Sequence, residues 1–128
     1  ITIHAELDDM GNVIGVGQRH WIHARNAANA TLFLLNYGKP GGHYNVVGDT
    51  EMYNDEIVKK IGELMNREPR LQYVDCHKAR PGHDRRYGLD GSKLKDMGWQ
   101  QPIDFETSLQ TTIDWIIDHE HYKESVNV

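Results

Sequence analysis

The stretch Arg80-Pro81-Gly82-His83-Asp84-Arg85-Arg86-Tyr87 constrains this chain more than any other. Three guanidiniums, an imidazole and a carboxylate fall within eight residues. Pro81 lacks an N–H and Gly82 carries a backbone-entropy cost, so the block is not ordinary helix. A Pro-Gly pair reads as a turn. The block is therefore expected to be a loop that presents forked, planar cations, a geometry suited to phosphate or carboxylate. The alternative for the same residues is a solvated basic loop that makes surface ion pairs.

The rest of the composition limits what such a loop can serve. The 128 residues suffice for one domain, spanning 1–128 with no internal boundary, and one modest core. Hydrophobic residues are 38% and charged residues 26%, a soluble globular composition. No apolar run approaches the roughly eighteen residues of a membrane span. A net charge of −5 argues against a general nucleic-acid binder, which neutralises phosphates with a basic excess. Within that acidic background Lys78, Arg80, Arg85 and Arg86 form a local positive island, better suited to one diphosphate than to a polymer. Cys76 is the only cysteine, so an intrachain disulfide is not possible and a reducing, cytoplasmic setting fits. Cys76 is read as a strand-end or core residue. The chain starts at Ile1 without a signal-peptide pattern, and is expected to be either processed or a piece of something longer.

Eight histidines raise a metal hypothesis, but neither His20 with His23 nor His119 with His121 has a zinc-site partner pair. No metal site is expected. G-x-S-x-G is absent, and Gly15-Val16-Gly17 is too short for a dinucleotide fingerprint.

In chain order, residues 1–5 alternate as a strand, residues 7–12 turn, and residues 13–16 pair back as a hairpin. Asn26 reads as the N-cap of a helix to about residue 36, with Ala27, Ala28, Thr31, Leu32, Leu34 and Leu35 on one broad apolar face and Gly38 as its stop. Residues 39–42 turn, and residues 43–47 read as a buried strand. Asn54 reads as the cap of a second helix, with Ile57, Val58, Ile61, Leu64 and Met65 at helical spacing. Residues 71–74 form another strand leading to the Arg-rich loop. A short helix holds Leu94 and Met97 and stops at Gly98. Asp104 then caps a last amphipathic helix bearing Phe105, Leu109, Thr112, Ile113, Ile116 and Ile117, with His119 and Lys123 near its end. The tail from residue 124 is expected to fray. The fold class is α/β, with helices against a small mixed sheet. Apolar helix faces left without a partner favour self-association into a homo-oligomer.

The Arg-rich block, followed by Leu89-Asp90, Lys93-Leu94, Gly98-Trp99 and Pro102, resembles the C-terminal part of the nucleotide-sugar 4,6-dehydratases, above all the dTDP-glucose 4,6-dehydratases of the extended short-chain dehydrogenase/reductase superfamily. The resemblance extends to Arg19 and Trp21, to Tyr44-Asn45 with Gly48, and to Glu51 and Asn54. It covers nearly all of the chain but only the closing part of such an enzyme. Three positions depart from the pattern: His20 and Ala79 each stand where the family usually has Asp, and Asp49 replaces a Gly.

The resemblance implies a substrate-binding role for this portion. Arg19 and Arg80 would contact a nucleoside diphosphate, Asn45 the nucleotide side, and Pro81, Gly82 and His83 would shape the loop. The partner implied is a dTDP- or UDP-hexose. The family's NAD sits in an N-terminal Rossmann half with a G-x-x-G-x-x-G turn, and a Tyr with a Lys four residues on assists hydride removal. None of these features occurs here, so the chain itself is expected to be inactive and to bind no cofactor. Taken alone, Arg19 reads as a surface Arg and Asn45 as a strand-end turn residue bonding its own backbone. Two other functions remain open: a nucleotide-sugar epimerase or decarboxylase fragment, and a free-standing, non-catalytic nucleotide-sugar-binding or interaction module.

Overall fold

The computed structural model describes residues 1–79, 81, 82 and 84–119. Its first element, β1 (Thr2–Leu7), alternates as β-branched strands do, burying Ile3 and Ala5. Asp8 then tightens the turn, since its Oδ1 accepts from the N–H groups of Met10 (2.9 Å) and Asn12 (2.7 Å). The chain returns as β2 (Val13–Val16), antiparallel to β1, with a register irregularity between Glu6 and Leu7. β3 (Gln18–Trp21) leaves this hairpin and leads to α1 (Ala24–Tyr37).

The start of α1 differs from expectation. The cap is His23, whose Nδ1 accepts from the Arg25 N–H at 3.1 Å. Asn26 is three residues further in, the third residue of the helix, and 1% exposed. Its side chain is drawn away from the helix end toward Ile103, donating to the C=O at 2.8 Å and accepting from the N–H at 3.3 Å. Gly38 ends the helix as read, with its N–H on the Leu34 carbonyl.

Residues 43–47 form no ladder. A strand needs a neighbour to take its backbone groups, and among the described residues no strand pairs with this one. The segment is irregular and held by side chains instead: Lys93 Nζ donates to the His43 carbonyl at 2.6 Å and lies over the Tyr44 ring. The strand that does form comes slightly later, as β4 (Thr50–Tyr53), antiparallel to β3 in the register Gln18↔Tyr53 to Trp21↔Thr50.

α2 (Asn54–Leu64) follows at once, so Asn54 is its first residue and Tyr53 occupies the cap; Glu56 reaches back to the Tyr53 N–H at 2.9 Å. β5 (Gln72–Asp75) pairs parallel with β1 and completes a mixed sheet of order β2-β1-β5, one residue later than read from sequence. A single turn, α3 (Cys76–Ala79), was not anticipated. α4 (Ser92–Asp96) and its Gly98 stop, at φ +94°, form as expected. Asp104 caps α5 (Phe105–Asp118), accepting from the Thr107 N–H at 2.8 Å.

The core joins α1 to the α4 segment: Ala30, Leu94 and Trp99 are buried together, with Ile22, Phe33, Leu34 and Val46 against them. The Trp99 indole N–H meets Asn29 Oδ1 at 2.9 Å. On α5 the burial centres on Ser108 and Ile113, whereas Trp115, Ile116 and Ile117 face outward. No helix among the described residues is long and apolar enough to cross a membrane.

Candidate functional site

Arg19 organises the polar centre of the molecule. It lies mid-strand on β3, opposite Met52 of β4, rather than at a strand-loop boundary. Its Nη1 donates to the carbonyls of Gln18 (2.6 Å) and Arg85 (2.9 Å), and its Nη2 to that of Asp84 (3.0 Å). The guanidinium also sits 4.1 Å from the centroid of the Tyr87 ring, a distance at which ring quadrupole and cation attract. Arg19 is thus seated on the segment 84–87. Backbone pairing reinforces the seat, since the Gln18 N–H donates to the Arg85 carbonyl at 2.8 Å and Gln18 bridges Arg86 in parallel.

The neighbouring arginines are engaged differently. Arg85 Nη1 meets Glu6 Oε2 at 3.0 Å. Arg86 grips Glu51 with two bonds, Nε to Oε1 at 2.6 Å and Nη2 to Oε2 at 2.8 Å. The hydrogen bonds from Arg86 hold the Glu51 carboxyl below its ordinary range, and those to Glu51 raise Arg86 above its own. His20 approaches the same carboxylate, Nε2 to Oε1 at 3.8 Å, while its Nδ1 lies 3.1 Å from the Gly48 carbonyl. Lys78 pairs with Asp75 at 3.4 Å. The positive island read from sequence is therefore balanced by carboxylates at Lys78, Arg85 and Arg86.

The other expected site residues fall as follows. Pro81 and Gly82 are exposed in a turn, and Gly82 takes φ +76°, a left-handed value that favours glycine. Arg80 and His83 lie outside the described residues. Asn45 is exposed in the irregular segment before β4, and its amide donates to the Asp90 carbonyl at 3.0 Å. So Arg19 and the Arg-rich loop are brought together, and Asn45 is tied to the far end of that loop's onward path. Glu51 and Tyr87 were not given site roles from sequence. The signal for Glu51 is its register opposite His20, which is legible only once β4 is recognised as a strand.

A cleft of about 360 Å³ opens beside this bracket, lined in part by His4, Glu6, Asn54, Cys76 and Arg85. Cys76 forms no disulfide and is partly buried at the start of α3, just after β5. Among the described residues no group of three or more His, Cys, Asp or Glu side chains could hold a metal ion. Nor do these residues fit NAD: Gly15 lies within β2 and Gly17 links it to β3, so no helix N-terminus follows them to receive a pyrophosphate.

No family model matches the chain. A dTDP-glucose 4,6-dehydratase of Xanthomonas campestris is 34% identical over 116 residues, covering 84% of this chain and 33% of that protein. One of Escherichia coli is 33% identical over 141 residues, covering 98% and 38%. This chain spans about a third of the length of the curated relatives it matches. Among solved structures, the dTDP-glucose 4,6-dehydratase of Bacillus anthracis in complex with NAD matches with a TM-score of 0.76 at 28% identity, over 94% of this chain and 35% of that one. The dTDP-glucose 4,6-dehydratase of Streptomyces venezuelae, solved with NAD and dTDP bound, matches in fold with a TM-score of 0.77 at 23% identity, over 95% and 35%. In sequence and in fold, the chain is dTDP-glucose 4,6-dehydratase-like and corresponds to a C-terminal portion of the extended short-chain dehydrogenase/reductase enzymes.

Proposed function

We propose that this chain is the substrate-binding portion of an NAD-dependent nucleotide-sugar 4,6-dehydratase, and that it holds the nucleoside diphosphate of a dTDP-hexose. The observation that carries the proposal is Arg19 seated on residues 84–87, because it unites a guanidinium of β3 with the Arg-rich motif. Phosphate oxygens are charged acceptors and bind a guanidinium more strongly than neutral carbonyls do. A diphosphate over this loop would draw on Arg19 and Arg80, with Asn45 toward the nucleotide and Pro81, Gly82 and His83 shaping the turn. The names of the relatives support dTDP as the nucleotide.

The chemistry would be supplied elsewhere in the whole enzyme. None of the six tyrosines has a Lys four residues on, and no G-x-x-G-x-x-G occurs. The contribution of this portion is binding energy remote from the reacting sugar, which orients that sugar for steps performed by other residues. The domain is taken as residues 1–128, in the cytoplasm, on the ground of the lone unpaired Cys76.

Titration calorimetry of the chain with dTDP and with UDP tests the proposal. Heat with dTDP that is lost in both Arg19→Ala and Arg80→Ala supports it. No heat from either nucleotide overturns it. The chain mixed with NAD and dTDP-glucose is expected to form no dehydrated product, and measurable dehydration would refute the division of labour.

A further inference from the structure

Residues 84–87 are exposed, so polar tethers rather than burial set their position. Two of those tethers are ion pairs made by the motif itself, Arg85 with Glu6 and Arg86 with Glu51. They are not equivalent. Arg85 makes a single bond to a β1 carboxylate at 3.0 Å. Arg86 and Glu51 make two bonds, which fix the plane of the guanidinium as well as its distance. Glu51 is only partly exposed on β4, and β4 is paired to β3, the strand that bears Arg19. One short path therefore runs from β4 through Arg86 to the Asp84 and Arg85 carbonyls and the Tyr87 ring, and these hold the Arg19 guanidinium. Loss of the Glu51 carboxylate would free Arg86 and loosen that support while leaving every direct nucleotide contact chemically intact.

We propose that Glu51 is a positioning residue of the nucleotide site: through Arg86 it fixes the loop that aims Arg19, without touching the nucleotide. This rests on the nucleotide-binding role proposed above, and names a residue on which that role would depend.

The test is calorimetry of dTDP with the 128-residue chain and four variants: Glu51→Gln, Arg86→Glu, the double charge reversal Glu51→Arg with Arg86→Glu, and Arg19→Ala. Glu51→Gln and Arg86→Glu are expected to weaken binding about threefold at low salt, the scale on which exposed ion pairs act. The double reversal is expected to recover affinity toward the parent, because the pair is restored with its charges exchanged. In about 1 M NaCl, where charges are screened within about 3 Å, the gap between parent and Glu51→Gln should narrow. Should Glu51→Gln unfold, Arg86→Glu against the double reversal carries the comparison.

If Glu51→Gln binds dTDP as the parent does while Arg19→Ala loses the heat, the positioning role fails and the site stands. A double reversal no better than either single change also overturns it, since the loss would then not run through the pair. If the parent itself gives no heat with dTDP, the nucleotide-binding role fails and takes this inference with it.

Discussion

Asn26→Ser separates two accounts of the same residue. Asn26 is 1% exposed and is the third residue of α1. Its amide satisfies both backbone groups of Ile103, 77 residues away, just before α5. Ser caps a helix about as well as Asn, so a capping role would make the change nearly silent. Ser cannot span to Ile103, and it has no second polar atom with which to serve two groups. A buried polar group left unpaired costs about 1–3 kcal/mol. The Ile103 carbonyl keeps a second donor, Gln101 Nε2 at 2.9 Å, so the Ile103 N–H is the group left without a partner; with Ile103 partly buried the expected loss is about 1–2 kcal/mol. With a urea m-value of about 1.5 kcal/mol/M, typical of a small domain, the midpoint should fall by about 0.7–1.3 M. Tryptophan fluorescence in a urea titration reads this directly, since Trp99 is buried against the same helix. Asn26→Asp is a second probe: its carboxylate can accept from the Ile103 N–H but faces the Ile103 carbonyl with another acceptor, so it should fall at least as far. A midpoint for Asn26→Ser within about 0.3 M of the parent, with Asn26→Asp equally mild, would refute the clamp.

Two further outcomes bear on the fold. A Cβ at Gly48 would collide with the Trp21 carbonyl oxygen, so Gly48→Ala must displace β3 and should lower the urea midpoint by an amount equivalent to about 1–3 kcal/mol. The Asp104 carboxyl is held below its ordinary value of 3.8 by backbone and side-chain hydrogen bonds from Thr107. Because its folded value is the lower one, its stabilising effect is complete above the unfolded value and is lost as pH falls through the folded one. Asp104→Asn keeps an acceptor at the cap but does not titrate. Its melting temperature should therefore fall less steeply than the parent's below about pH 4, and identical acid limbs would refute the assignment.

Local chemistry was legible where one residue decides the outcome. Asp104 and Gly98 end or begin helices through atoms they carry themselves, and both read correctly. The hairpin of β1 and β2 was legible because alternation and an Asp-rich turn are local signals. Residues 43–47 were misread because a β-rich run says nothing about whether a partner strand is present. Asn26 was misread for a related reason: an Asn near a helix start serves as a cap or as a long-range clamp, and only the approach of Ile103 decides between them. In the site, the Arg-rich motif announced cations but not their partners. Glu6 and Glu51 lie 79 and 35 residues from the arginines they hold, and nothing in the spacing reveals that separation.

That pairing changes what the motif can do. A cluster of Lys78, Arg80, Arg85 and Arg86 suggests a patch of positive potential that would draw any anion. With Asp75, Glu6 and Glu51 set against three of the four, the field over the described part of the loop is largely cancelled at short range. What survives is direction, because Arg19 is held by carbonyls and a ring, neither of which neutralises its charge. The same contacts tie the mixed sheet to the β3–β4 pair, since Arg85 reaches β1 and Arg86 reaches β4. The sheets share no strand, so their relative placement depends in part on the loop that meets both. An anion recognised here would be selected by the aim of a supported guanidinium more than by net charge. Recognition by direction requires a stiff support, and two arginines committed to carboxylates on separate sheets supply one.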